Sequence, residues 1–345
     1  MSEATSETSA AATIRAPYAV GVVHTVIART DAPDRSLPTE IWYPALPPAG
    51  EGARASHPLG LPYDAFPDLV PIAGPCPLVV FSHGNSGYRQ QSTFLTTRLA
   101  RAGFVVAAPD HVGNTFPEML ALKDEEARRA VHREIRRQRP ADLHAVLRAL
   151  LDAPANPADD AAAYTAGQTA GQTTGETAGQ APIRRATLSL PALDPTRIAS
   201  LGHSFGGWTA LKLPALDRRI RAVCALAPVS EPFVGRRAFE PQELPLPAEV
   251  HTLVIAARDD VLVDLETSLL PLFTRLGPSA SLDILDDADH FHFCDGIELL
   301  HRMHESNPRP GQRRPTRPFE ELRGERETQT LLADRILAFF SQHLA

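Results

Sequence analysis

Asp194-Pro195-Thr196-Arg197-Ile198-Ala199-Ser200-Leu201-Gly202-His203-Ser204-Phe205-Gly206-Gly207 is the stretch whose reading decides the fold. Asp-Pro-Thr is a turn signal, and the apolar run 197–201 behind it predicts a short buried strand. The strand ends in Gly202-His203-Ser204-Phe205-Gly206, a Gly-x-Ser-x-Gly pattern. Trp208-Thr209-Ala210-Leu211-Lys212-Leu213 then predicts a helix. A strand that turns sharply into a helix around one serine is a nucleophile elbow. Its demand is steric: the serine backbone is strained, and the residues two before and two after it must be small for strand and helix to approach. Three fixed positions also fit an ordinary Gly-rich turn between packed elements, so the flanking strand and helix carry the reading.

Apolar runs at Val20–Ala28, Thr39–Tyr43, Pro77–Phe81 and Phe104–Ala108 predict strands ahead of the elbow. Ala222–Leu226, Thr252–Ala256 and Ser281–Leu285 predict strands after it. Helices are predicted between them: one over Thr93–Ala102, ended by Gly103, and one carrying Leu143, Val146, Leu147, Leu150 and Leu151, with Pro140 near its start. A last helix has apolar residues at Leu332, Ile336, Phe340 and Leu344. Apolar strands alternating with amphipathic helices imply an α/β architecture: a doubly wound, mostly parallel sheet with helices on both faces. In such sheets ligands bind beyond the carboxyl ends of the strands. Ser82–Asn85, Ser204, Asp259/Asp260 and 286–292 all fall just past strand ends, so four polar clusters converge on one edge.

The 345 residues, 43% hydrophobic, suffice for one large core, expected over 16–345. Residues 1–15 are small and polar, and we expect a disordered tail there. Residues 166–180 repeat a loose Ala-Gly-Gln-Thr unit, within an expected disordered insertion at about 155–190. The Pro-rich segment at about 230–250 suggests a short cap. A net charge of −7 gives no basic excess for nucleic acid, and no apolar run is long enough to span a bilayer. Cys76, Cys224 and Cys294 are expected to be buried, reduced thiols. With no basic, apolar leader at the start, a cytoplasmic location is expected.

Ser204 needs a base. His251 precedes a strand, at the wrong end of the sheet, and His301, His304 and His343 lie in helix-like segments. His290 and His292 lie directly after the last strand, in Asp286-Asp287-Ala288-Asp289-His290-Phe291-His292-Phe293. His290 is preferred because it comes sooner in the loop and Phe291 can wedge that loop in place; His292 is the alternative. The imidazole needs an acid to set its tautomer, and Arg258-Asp259-Asp260 offers two. Asp260 has moved farther out of the sheet, whereas Asp259 is placed to pair with Arg258 or cap the turn. The oxyanion needs two donors: the backbone N–H of Phe205, and one from His83-Gly84-Asn85, assigned to Asn85. His83 is expected to brace that loop.

With these residues in view, the chain resembles the α/β-hydrolase superfamily. Within it the chain is similar to bacterial esterases of dienelactone-hydrolase-like and platelet-activating-factor acetylhydrolase-like type. The matching stretches are 17–22, 40–45, 79–87, 103–115, 194–207 and 286–293. The resemblance implies a Ser204–Asp260–His290 triad acting on a small-molecule ester without metal or organic cofactor. Two departures limit it. Dienelactone hydrolases proper use a cysteine nucleophile where Ser204 stands. Animal platelet-activating-factor enzymes keep their acid after the strand matching Ala222–Leu226, where this chain reads Ala227-Pro228-Val229. Acyl transfer or thioester cleavage on the same triad, a metal-dependent hydrolase using His290 and His292, and a non-catalytic binding protein are the competing readings.

Overall fold

The computed structural model describes residues 17–48, 50, 52–61, 63–152, 188–230, 237–307 and 314–345. The expected N-terminal tail, nearly all of the 155–190 insertion and residues 231–236 of the cap-like segment lie outside the described residues.

Among the described residues, nine strands form one sheet. In chain order they are β1 (Ala19–Ala28), β2 (Ser36–Ala45), β3 (Phe66–Pro67), β4 (Pro75–Ser82), β5 (Val105–Pro109), β6 (Ala192–His203), β7 (Ile220–Leu226), β8 (His251–Ala257) and β9 (Ala280–Leu285). Their spatial order is β3-β1-β2-β5-β4-β6-β7-β8-β9. β2 pairs antiparallel with both β1 and β5, and from β5 through β9 every pairing is parallel. The parallel strands are covered on both sides, so their alternating residues feed two cores. Leu78, Val80, Ile198, Val223 and Val254 face one core. Val79, Phe81, Leu201, Cys224 and Ile255 face the other.

Three helices cover the first face: α3 (Glu125–Leu151), α4 (Phe205–Lys212) and α5 (Leu270–Leu276). The opposite face carries α1 (Thr93–Arg101) and α7 (Glu325–His343). The short α2 (Phe116–Ala121) and α6 (Ile297–Ser306) complete the set. All three cysteines are buried and free.

One expected boundary is corrected. Pro140 does not open its helix; it lies in the interior of a 27-residue helix that starts at Glu125. The first half, with Glu126, Arg128, Arg129, Arg133 and Glu134, is largely exposed and has no apolar stripe to read. Good helix formers sustain it, and Asp124 caps it by accepting from the N–H groups of Glu126 and Ala127.

This helix also carries the charge cluster that props up the carboxyl edge of the sheet. Asp142 is fully buried and accepts from Arg29 at 3.0 Å and Arg35 at 2.6 and 2.7 Å. Its Oδ2 is also 3.1 Å from His111 Nδ1. His111 Nε2 accepts from Ser82 Oγ at 2.8 Å, at the last residue of β4. Burial alone would raise the Asp142 carboxyl, but hydrogen bonds from Arg35 and His111 outweigh it and hold the group at about 2. Burial, helped by the charge of Arg139, pushes His111 down to about 3.

Both groups therefore bind fewer protons folded than unfolded, and stability falls as pH falls. The Asp142 contribution is complete above its unfolded value, near pH 4, and is lost as pH drops toward 2. Asp142→Asn leaves two arginines facing a neutral amide in the interior. It is expected to cost about 3–5 kcal/mol in urea unfolding at pH 7, and much less near pH 2. An equal cost at both pH values would show that packing, not charge, makes the contribution.

Candidate active site

Ser204 stands between β6 and α4 with φ 57° and ψ −117°, a left-handed backbone that a non-glycine residue adopts only when its surroundings enforce it. The end of β7 and the loop that follows it do so. The Ser204 N–H donates to the Leu226 carbonyl at 2.8 Å, and its carbonyl accepts from Val229 N–H at 3.2 Å. The small residues expected on sequence grounds are explained by contact. A Cβ on Gly202 would overlap the Gly206 carbonyl, and one on Gly206 would overlap the Ser82 carbonyl. Gly206→Ala must therefore push α4 away from β4. Loss of more than nine-tenths of activity and a Tm lower by roughly 5–10 °C are expected, from an overpacking cost of about 1–3 kcal/mol; wild-type activity and Tm would show that the elbow has slack.

Asp260 and His290 are brought together although 30 residues apart. His290 Nδ1 is 2.6 Å from Asp260 Oδ2, and both side chains are buried. The second carboxylate oxygen, Oδ1, accepts from Leu262 N–H at 2.7 Å and Val263 N–H at 2.8 Å. The Asp260 carbonyl accepts from Arg314 at 2.8 Å. The carboxylate is thus fixed before it meets the imidazole. With Nδ1 engaged, Nε2 is the nitrogen left for a proton from a substrate or nucleophile.

The two alternatives have other contacts. Asp259 pairs with Arg317 at 3.0 Å. The expected Arg258–Asp259 pair is corrected: the Arg258 side chain bonds to Asp286, because β9 ends beside it. His292 is buried, its Nδ1 2.7 Å from Asp289 and its Nε2 3.1 Å from the Arg323 carbonyl. Asp289 is also 2.5 Å from His301. Burial would raise the Asp289 carboxyl, but the hydrogen bonds from His292 and His301 hold it well below the usual carboxylate range. His290 itself begins a short 3₁₀ turn, His290–Phe293, rather than an open loop.

His203 lies beside the pair, its ring centroid 4.6 Å from that of His290. Burial, and then repulsion from His290, push it well below its ordinary value, which keeps it neutral. Gln91 fills the space between His203 and Gly84. Its Nε2 donates to His203 Nδ1 at 3.1 Å, while its Oε1 accepts from Gly84 N–H at 2.8 Å. The Gly84 amide is therefore occupied, and Asn85 is the next amide along. Asn114 donates to the Asn85 side chain at 2.9 Å. His83 Nε2 accepts from His111 N–H at 3.0 Å, which leaves Nδ1–H to donate to the Gly84 carbonyl at 2.7 Å.

A family model described as platelet-activating factor acetylhydrolase, isoform II, matches residues 68–148. That stretch includes loop 82–85 and ends before Ser204, Asp260 and His290. A ferulic acid esterase from Streptomyces cinnamoneus superposes with a TM-score of 0.62 at 24% identity, covering 97% of this chain and 92% of that one. The chain has the α/β-hydrolase fold. A dienelactone hydrolase-like promiscuous phosphotriesterase from metagenomic libraries shares it, with a TM-score of 0.52, 17% identity, and 95% and 100% coverage of this chain and that one.

Phe205, Trp208 and Phe293 are core, while Phe116 is exposed. Arg89 is largely buried and pairs with Asp110 and Glu40. Arg314 and Arg317 reach back onto the Asp259–Asp260 turn. No periodicity marks these two arginines, because each acts through a single long side chain. No helix among the described residues is long and apolar enough to cross a membrane.

Proposed function

We propose that the protein is a carboxylic ester hydrolase that works through an acyl-enzyme on Ser204. The observation that carries this reading is the 2.6 Å Asp260–His290 contact beyond the ends of β8 and β9, on the same sheet edge as a serine held at φ 57°. Asp260 keeps the proton on Nδ1 of His290, so Nε2 is free to take the proton of Ser204 Oγ as that oxygen attacks the ester carbonyl. The negative charge that develops on the carbonyl oxygen is met by the N–H groups of Phe205 and Asn85. His290 then protonates the leaving alcohol. Water, activated by the same imidazole, hydrolyses the acyl-enzyme and regenerates Ser204.

The geometry offers less to the metal-dependent reading. Both nitrogens of His292 are already engaged, by Asp289 and by a carbonyl. The described residues bring no three His, Cys, Asp or Glu side chains together as a ligand set.

A fluorophosphonate tests the proposal directly. One phosphonyl group per chain is expected, located on Ser204 by peptide mass spectrometry, with ester hydrolysis lost in proportion to labelling. Full activity in stoichiometrically labelled protein, or labelling elsewhere, would overturn it. Turnover should be assayed on p-nitrophenyl esters of graded acyl length. Feruloyl esters belong in the same panel, given the likeness to a ferulic acid esterase.

A further inference from the structure

Arg139 is fully buried in the middle of α3, yet no carboxylate among the described residues is hydrogen-bonded to it. Its partners are neutral: the carbonyls of His83 and Gly84 (the latter at 3.4 Å), Ser82 Oγ at 3.2 Å and Asn114 Oδ1 at 2.7 Å. Its guanidinium carbon lies 4.4 Å from the centroid of the Phe205 ring, on which it stacks as a cation on a π face. Asp142, one helical turn on, acts on it only through space. Burying a cation among neutral groups is costly, and a purely structural role would be filled as well by an apolar side chain of similar volume.

What the guanidinium touches is specific. The loop 82–85 carries one proposed oxyanion donor and Phe205 carries the other. Asn114 links Arg139 to the side chain of Asn85. The Gly84 carbonyl belongs to the same peptide unit as the Asn85 N–H. In a trans peptide these two groups point in opposite directions. Donors gathered on the Gly84 oxygen, from Arg139, His83 and Gly87 N–H, therefore aim the Asn85 N–H away from α3. They also polarise the amide and make that N–H a stronger donor.

We infer that Arg139 is a positioning residue for the oxyanion site, a single buried cation that holds the Asn85 and Phe205 amides in register. The inference rests on the ester-hydrolase reading above. Its effect falls on the transition state, because the amides meet full negative charge only there.

Arg139→Met keeps the volume and removes the charge and the donors. In this variant kcat for p-nitrophenyl acetate is expected to fall about 100-fold while KM changes by less than about threefold. Affinity for an alkyl boronic acid, which forms a tetrahedral adduct on the serine, is expected to fall in step with kcat. Arg139→Lys restores a donor to the loop carbonyls and is expected to recover about tenfold of the lost kcat. Near-UV circular dichroism and Tm are measured on both variants. Unchanged kcat, a loss confined to KM, or a loss equal to the unfolded fraction would overturn the inference, as would failure of both variants to fold. Ser204→Ala runs in parallel. If it is inactive and Arg139→Met is not impaired, the hydrolase reading stands and the Arg139 assignment falls. If Ser204→Ala retains turnover, both fall.

Discussion

Ser204→Ala is expected to lower kcat for a short-chain p-nitrophenyl ester by roughly 10⁵–10⁶-fold, leaving only what binding and the oxyanion donors supply. In the proposed mechanism the hydroxyl removed is the one that bonds to the substrate carbonyl. Ser204 is the residue set at φ 57° by hydrogen bonds to Leu226 and Val229. His290→Asn should cost nearly as much, since without the imidazole the hydroxyl keeps its proton. The two losses are not expected to add: the double variant should be no slower than Ser204→Ala within about threefold, because serine and histidine act in the same step. Additive losses, or a Ser204→Ala variant within tenfold of wild type, would place the chemistry elsewhere.

Asp260→Asn and Asp259→Asn form the second test, and their contrast is the informative part. In Asp260→Asn the amide oxygen can keep accepting from Leu262 and Val263, whose N–H groups face Oδ1. The amide nitrogen must then face His290 Nδ1, where the carboxylate oxygen stood at 2.6 Å. A donor there forces Nδ1 to be the acceptor and moves the ring proton to Nε2. That tautomer cannot take the serine proton, so a loss of about 10⁴-fold in kcat is expected with the fold retained. Asp259→Asn breaks only the contact with Arg317, near the surface. Its kcat is expected to stay within about threefold, with at most about 1 kcal/mol lost in stability. If Asp259→Asn were the inactive variant, the acid would have to be reassigned.

Chain chemistry alone made much of this site legible. The strand-to-helix context of Ser204, and acidic and histidine clusters placed just past later strands, pointed to one edge of a parallel sheet, and the structure brings them to that edge. The antiparallel pairing of β2 was not legible. A strand buried on both faces has the same apolar pattern whichever way its neighbour runs. The first half of α3 escaped because its residues face solvent and show no stripe. The separation of Asp260 from Asp259, and of His290 from His292, rested on position in the loop. Their contacts differ: Asp259 and His292 are engaged with Arg317, Asp289 and Arg323, partners that lie far off or mid-loop in sequence.

By itself the sequence determined the layer order, the elbow and the short set of side chains able to do acid–base chemistry, because these depend on local periodicity and on residue types a few positions apart. Only the tertiary structure decided what holds the site in shape. Gln91 between Gly84 and His203, Arg314 behind Asp260, and Arg139 under the oxyanion loop each span tens of residues or more. Each acts through one long polar side chain, and such a side chain leaves no periodic trace in a sequence. Its partner is set by how the helices settle on the sheet, and that is a property of the packed core rather than of any segment.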